Sequence, residues 1–233
     1  VITSLKLVNV TLEYPDGTST LKALDAVNLA VHQGEFLSLV GPSGSGKSSL
    51  LAVAATLLKP TSGLVLIDGQ DVSALTEAER TALRRDKVGI IFQQPNLLPA
   101  LTAVEQLVIR EHSRGNSVKD ARTKAEELLD VVGLSGATHK RPHQLSGGQR
   151  QRVNIARALM GSPSVLLVDE PTAALDHQRS ESVVRLLRQV TDEFQTATVM
   201  VTHDTEYLPL TDAVASMRDG RISGAAVPAA QPN

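Results

Sequence analysis

Cysteine is absent from this sequence, and so is tryptophan. The first absence excludes disulfides and thiolate metal sites, and it fits a reducing compartment. Aromatic residues make up 2% of the chain, so a role that needs a flat ring falls on few side chains. Positive charge is not in excess. The formal net charge is −2, which gives no electrostatic reason to expect a nucleic-acid partner. No apolar run approaches the roughly 18–20 residues that cross a bilayer, and the longest candidate, Leu50–Leu58, falls far short. No signal-peptide pattern is expected at a start that opens on Val1. His32, His112, His139, His143 and His177 are scattered among polar and turn residues without metal-ligand spacing, and read as surface residues. What remains is a chain of 233 residues with a 42% hydrophobic share, enough for one sizeable α/β domain and a small subdomain.

Short β-rich runs alternate with helical patterns. "LKLVNVTLEY" alternates apolar and polar residues as a half-exposed strand does. Glu35–Val40, Gly63–Gly69 and Lys87–Gln93 read as further strands, with helices over Ser48–Leu58 and Glu77–Arg85. Lys59-Pro60 is expected to stop the first helix. From about Thr102 to Val132 the β signal fades and apolar residues recur at helical spacing, as in an inserted helical unit. Strand patterns return at Ser164–Glu170 and Thr196–Asp204, with a helix over His177–Glu193 between them. The end, "GAAVPAAQPN", has no period and reads as a loose tail. Alternating β and α implies a mostly parallel sheet covered on both faces.

Three constellations carry chemistry. The first is Gly41-Pro42-Ser43-Gly44-Ser45-Gly46-Lys47-Ser48, which fits G-x-x-x-x-G-K-[ST] between an expected strand and an expected helix. Glycines let the backbone close around a phosphate so that several N–H groups converge on it, and the helix points its positive end the same way. Lys47 is placed to reach the β- and γ-phosphates, and the Ser48 hydroxyl suits Mg²⁺, which prefers hard oxygen ligands. The second is "SVLLVDEP". A buried strand that ends in two acids puts Asp169 and Glu170 at the carboxyl edge of the sheet, beside the phosphate loop. Asp169 is then expected to hold Mg²⁺, and Glu170 to orient and polarise the attacking water. The third is "LSGGQRQRVNIARAL", Leu145–Leu159. Ser146 can cap this helix, while Gly147 and Gly148 leave amides exposed at its positive end. A chain with one complete phosphate loop has no evident need of a second anion site. A head-to-tail dimer, each copy offering this helix to the other's γ-phosphate, resolves the surplus.

Leu145-Ser146-Gly147-Gly148-Gln149 resembles the signature of the ATP-binding-cassette (ABC) ATPases, and the resemblance runs over about residues 3 to 224. It implies an α/β P-loop NTPase cassette with a mostly parallel sheet, an N-terminal antiparallel β portion and an inserted helical subdomain. Residues 3–96 and 161–224 would form the core, 97–160 the helical signature subdomain and 225–233 the loose tail. It further implies that ATP is bound by Gly41 through Ser48 and by Ser49, with Tyr14 stacked on adenine. In the same way Gln93 matches a glutamine that contacts Mg²⁺ and water, and His203 in "VTHD" a histidine at the γ-phosphate. Ala174-Leu175-Asp176 matches a loop that crosses the dimer interface, so Asp176 joins Ser146–Gln149 among the residues facing the partner's nucleotide. Ala173 departs slightly, since relatives often carry Gly or Ser there.

Within the family, a single cassette, a helical insertion without heptads and no basic extension favour transport over nucleic-acid work. Ile90–Leu107, "ATLLKPTSG" and "LVDEPTAALD" resemble the macrolide-export and lipoprotein-release group. That group implies a peripheral ATPase on the cytoplasmic face of the membrane, working with four-span permeases that contact Gln93–Leu101. Its cargoes are amphiphiles such as haem, drugs, peptides or lipoproteins. An amino-acid-type importer ATPase, and a soluble ATPase of the cell-division or DNA-repair type, stay open as alternatives.

Overall fold

The segment Val165–Asp169, four apolar residues and then an acid, shows how the layers form. In a computed structural model, which describes residues 2–17, 19–112 and 117–228, it is strand β7, an interior strand of a mixed sheet. Val165 and Leu167 pack into one core, and Leu166 and Val168 into another on the opposite face. Alternate side chains of a strand point to opposite faces, so a strand covered on both sides must be apolar throughout. Each such side chain contributes roughly 1.5–3 kcal/mol when taken fully out of water.

The sheet has the order β10-β9-β3-β8-β7-β6. Strands β3 (Phe36–Val40), β6 (Val88–Ile91), β7, β8 (Ala197–Val201) and β9 (Ala213–Arg218) run parallel, and β10 (Arg221–Pro228) returns antiparallel at the edge. A second, antiparallel sheet has the order β2-β1-β4-β5, from β1 (Thr3–Asp16), β2 (Ser19–His32), β4 (Ser62–Ile67) and β5 (Gln70–Asp71). Helix α1 (Lys47–Ala54) is buried between the two sheets with Leu50, Leu51, Val53 and Ala54 in the shared core. On the other face, α3 (Ala103–His112), α4 (Val118–Val131) and α5 (Gly147–Leu159) gather around Leu107, Leu128, Leu129, Val153 and Ile155, with α6 (His177–Phe194) alongside. Helix α2 (Glu77–Lys87) starts at a capping box between Thr76 and Glu79.

Several expectations shift. Helix α1 stops at Ala54, short of Leu58, because Thr56 turns into the left-handed region at φ 58°. Arg84 fixes that turn by donating to the Thr56 carbonyl at 2.9 Å. Strand β2 was not anticipated. Irregular register between β1 and β2, with Asn9 and Ala26 at positive φ, breaks the alternation that betrays a strand. β9 and β10 were not anticipated either. β10 runs to Pro228, into the stretch read as tail, while residues 229–233 and the His112 side chain lie outside the described part. His32 is half-buried rather than on the surface, its Nδ1 3.1 Å from Thr3 Oγ1. His139 and His143 are exposed.

Candidate functional site

Parallel strands end on the same edge, and the order β3-β8-β7 sets three chemically loaded ends side by side. Val40 leads into the glycine loop, Val201 into His203, and β7 ends at Asp169. The ladder is pinned past its last paired residues: Glu170 N–H donates to Val201 O at 3.0 Å and Thr202 N–H to Leu39 O at 3.2 Å. Glu170 itself sits at φ 40°, a left-handed turn that bends the chain out of the strand.

The edge opens into a cleft of about 670 Å³. Gly41, Ser43, Gly44, Gly46, Lys47, Ser48 and Ser49 line one wall, Glu170 and His203 another, and Tyr14 a third. Two loop glycines are demanded by their surroundings. A Cβ on Gly41 would lie 2.1 Å from Met217 O, and one on Gly46 would lie 2.4 Å from Ala23 O. Gly46 is also the residue before α1, at φ 105°, with no side-chain cap, so the first amides of the helix face the cleft unfilled. The Lys47 side chain is 8% exposed overall and donates to the carbonyls of Gly41 and Pro42, each at 2.8 Å. Pro42 and Ser45 are in the loop but not in the lining. Ser45 is buried, its N–H reaching Pro42 O at 3.3 Å and its carbonyl accepting from Gly220 N–H at 2.9 Å.

The acids differ. Glu170 is 27% exposed at the side chain and lies 3.2 Å from His203 Nδ1, whose ring is 65% exposed. Asp169 lies just behind. Burial pushes its carboxyl above the usual aspartate value, the charge of Glu170 adds to that, and Lys47 partly offsets it. Two carboxyls thus share this corner with one lysine.

Not every expected residue is brought here. Gln93 is exposed two residues beyond β6, on the same edge of the sheet but not in the cleft lining. Ser146, Gly147, Gly148 and Gln149 lie elsewhere, at the start of α5. A capping box closes that start: Gln149 N–H donates to Ser146 Oγ at 3.2 Å, and Ser146 N–H to Gln149 Oε1 at 2.9 Å. Asp176 caps α6, accepting from Arg179 N–H at 3.0 Å. Its neighbour His177, with a side chain 65% exposed, pairs with Glu206 and stacks on Tyr207.

The lining also holds residues that the sequence did not single out, namely Leu21, Lys22, Ala23, Val201, Asp219 and Gly220. Asp219-Gly220 is a recognisable turn pair, but only the fold shows it folded onto the glycine loop. Gly220 O accepts from Asp25 N–H at 2.8 Å, and Arg221 and Lys22 both bond the Asp25 carboxylate, which holds it below the usual range.

The ABC transporter family profile matches residues 24–173. The lipoprotein-releasing system ATP-binding protein LolD of Shewanella frigidimarina is 42% identical, over 93% of this chain and 90% of its own. The putative hemin import ATP-binding protein HrtA of Staphylococcus haemolyticus is 41% identical, over 94% of this chain and 99% of its own. Among solved structures, the ATP-binding cassette MJ0796 of Methanocaldococcus jannaschii, a dimer in a post-hydrolysis state bound to ADP and Pi, superposes with a TM-score of 0.84. It is 41% identical, and the match covers 94% of this chain and 97% of that one.

Proposed function

Because this chain is an ATPase of the ABC transporter family, we propose that it drives an export-type membrane permease for amphiphilic cargo, as a head-to-tail dimer with two ATP molecules at the interface. The observation that carries this reading is a separation. Lys47, Glu170 and His203 share one cleft, whereas the N-terminus of α5 stands outside it. A second copy supplies the missing wall. Dimeric MJ0796 supports the pairing.

In this mechanism Tyr14 stacks on the adenine, and the amides of Gly44 through Ser49 donate to phosphate oxygens. The Lys47 ammonium exchanges its two carbonyl partners for the β- and γ-phosphates. From the partner copy, Ser146, Gly147 and Gly148 present donors to the γ-phosphate, Gln149 holds the cap, and Asp176 lies along the joint. Glu170 accepts a proton from water as the water oxygen bonds the γ-phosphorus and the β–γ bridging bond breaks, its electron pair leaving with ADP. His203 keeps the Glu170 carboxylate oriented and reaches the γ-phosphate.

The donors also fit Mg²⁺. Ser48 and Asp169 offer hard oxygens, Glu170 adds a second carboxyl beside Asp169, and no cluster of three His, Asp or Glu exists among the described residues. Such a site suits an ion that takes most of its ligands from phosphate and water. Ser48, Asp169 and Gln93 would hold Mg²⁺, which when bound would neutralise charge on the phosphoryl oxygens.

Membrane attachment is peripheral, at the cytoplasmic face, through permease contacts at Gln93–Leu101. No helix among the described residues is long and apolar enough to cross a membrane. The names of LolD and HrtA speak of lipoprotein release and hemin import, and both cargoes are amphiphilic. The sequence of Ile90–Leu107 and the likeness to LolD favour outward transport. To test this, Glu170→Gln is trapped with ATP in detergent-solubilised host membranes and its partners are identified. A four-span permease with a large external domain is expected. A solute-binding protein with an importer subunit would move the assignment to amino-acid-type uptake, and soluble partners alone would end the transport reading.

A further inference from the structure

A second cavity, of about 350 Å³, adjoins the nucleotide cleft and lies between residues of the segments 172–180 and 203–207. His203 lines both spaces. Its ring is 65% exposed and pairs with Glu170. A ring this exposed takes its aim chiefly from the backbone that carries it.

That backbone is tied down on both sides of His203. Before it, Thr202 N–H donates to Leu39 O at 3.2 Å, at the edge of the sheet. After it, Asp204 N–H donates to Thr202 Oγ1 at 3.0 Å, and Glu206 N–H to Asp204 Oδ1 at 3.0 Å, which leads the chain into a 3₁₀ turn over Thr205–Leu210. The turn is then fastened to the first residue of α6, His177. Glu206 Oε2 lies 3.2 Å from His177 Nδ1. The Tyr207 hydroxyl donates to the His177 carbonyl at 3.3 Å and lies 3.3 Å from Nδ1, and the two rings stack with centroids 6.2 Å apart.

The partners assign the proton. The Tyr207 hydroxyl has one hydrogen, directed at the His177 carbonyl, so toward Nδ1 its oxygen accepts. The Glu206 carboxylate accepts as well. Nδ1 must therefore carry a hydrogen, which fixes the ring's role as donor. Tyr207 is buried in the core on the helical side, so the fastening ends at a fixed point. The His177–Glu206 pair is itself exposed, at 65% and 58%. An exposed pair of this kind adds little to stability; what it can set is position.

We propose that His177 is a positioning residue for ATP hydrolysis, holding the 203–207 segment against α6 so that the His203 ring stays on Glu170. The proposal rests on the roles given above to Glu170 and His203, and it names what keeps His203 in place. Without the His177 donor, Glu206 is released, the 203–206 stretch is held only at Thr202 and Tyr207, and His203 no longer orients the carboxylate that takes the proton from water.

The test is steady-state ATPase of the full chain, with ATP affinity and thermal midpoint measured beside it. His177→Ala should lower kcat about tenfold, as expected of a misplaced group at the chemistry, and leave the KM for ATP and the thermal midpoint near those of the unaltered chain. His177→Asn keeps an N–H donor near the place of Nδ1 and should restore most of the rate. Glu206→Ala should lose as much as His177→Ala, and the double variant no more than either alone. In a His203→Ala background, His177→Ala should cost nothing further, because its effect runs through His203. An unchanged kcat in His177→Ala, an equal loss in the His203→Ala background, or a loss that follows the thermal midpoint and is not reversed by His177→Asn overturns the proposal. If His203→Ala itself turns over at the full rate, the role given to His203 fails, and this proposal with it.

Discussion

Two helices in this protein are entered through glycines, α1 after Gly46 and α5 at Gly147, and for different reasons. At α1 the glycines are required by the chain's own packing. Gly41 and Gly46 sit against the carbonyls of Met217 and Ala23, and Gly46 has a backbone that L side chains rarely adopt. At α5 no contact among the described residues asks for glycine. A Cβ on Gly147 would meet Leu175 at 3.5 Å and one on Gly148 would meet Arg179 at 3.8 Å, both ordinary contacts. The α5 end is also finished locally by its Ser146–Gln149 capping box, whereas the α1 end has no side-chain cap. The first glycine set shapes a cleft within one molecule. The second leaves a surface bare, and it is there that the proposed head-to-tail dimer puts a partner's γ-phosphate.

The largest effects should come from the α1 side. Glu170→Gln is expected to slow turnover by roughly 10²–10⁴-fold with ATP binding retained, as read by steady-state rates beside nucleotide titration. Near-normal turnover would remove Glu170 as the group that takes the proton. Lys47→Ala is expected to lose binding as well as turnover, and an unchanged ATP affinity would count against the phosphate loop as the site.

The comparison sharpens in a matched pair. Gly46→Ala should destabilise by about 1–3 kcal/mol, because backbone must shift to admit the methyl group at a strained φ. Gly148→Ala should leave stability equal or higher by a few tenths of a kcal/mol, since Ala is the better helix former, and should still lose ATPase activity. Chemical denaturation of both variants decides it. If Gly148→Ala is the one that unfolds, its glycine serves the chain's own packing.

A smaller effect is expected at Tyr14, a side chain 40% exposed near the tip of the β1–β2 pair. Tyr14→Ala should weaken ATP by no more than the roughly 0.5–1.5 kcal/mol of one stacked ring, with kcat little changed. The smallest concerns Asp169. Its folded pKa is raised, so above the ordinary value of 3.8 the folded state binds the proton more tightly than the unfolded chain does. Stability from this group is therefore lost as pH rises through the window between the ordinary and the raised value. Asp169→Asn should raise the thermal midpoint of the nucleotide-free protein above that window while abolishing turnover. A lowered midpoint there would contradict the burial and charge crowding that raise this pKa.

The same contrast explains what could be read from the sequence. The phosphate loop and Asp169-Glu170 were legible because a contiguous run of residues makes each feature: strand, glycines, lysine; or strand, then acids. The signature was legible for the same reason, including its Ser146 cap. Asp219, Gly220 and Lys22 were not, since they reach the cleft through an antiparallel return at β9–β10 and an irregular hairpin at β1–β2. The cap that Asp176 gives α6 lay hidden behind its place in a loop motif. Leu57 and Leu58 continue the apolar run and so predict a longer α1, while the turn at Thr56 that ends it is fixed from Arg84, distant in sequence. Gln93 shows the opposite limit. Its motif is local, yet in the single chain it stays outside the cleft.

The most direct test is the mass of the molecule in solution. Glu170→Gln, and the double variant with Ser146→Arg, are each measured by light scattering with and without Mg²⁺-ATP, alongside ATP titrations. The head-to-tail arrangement predicts that Glu170→Gln becomes a dimer only with ATP, and that the double variant binds ATP yet stays a monomer. A double variant that dimerises as fully as Glu170→Gln would contradict it, because the bare glycine end of α5 would then not be where the second copy closes the site.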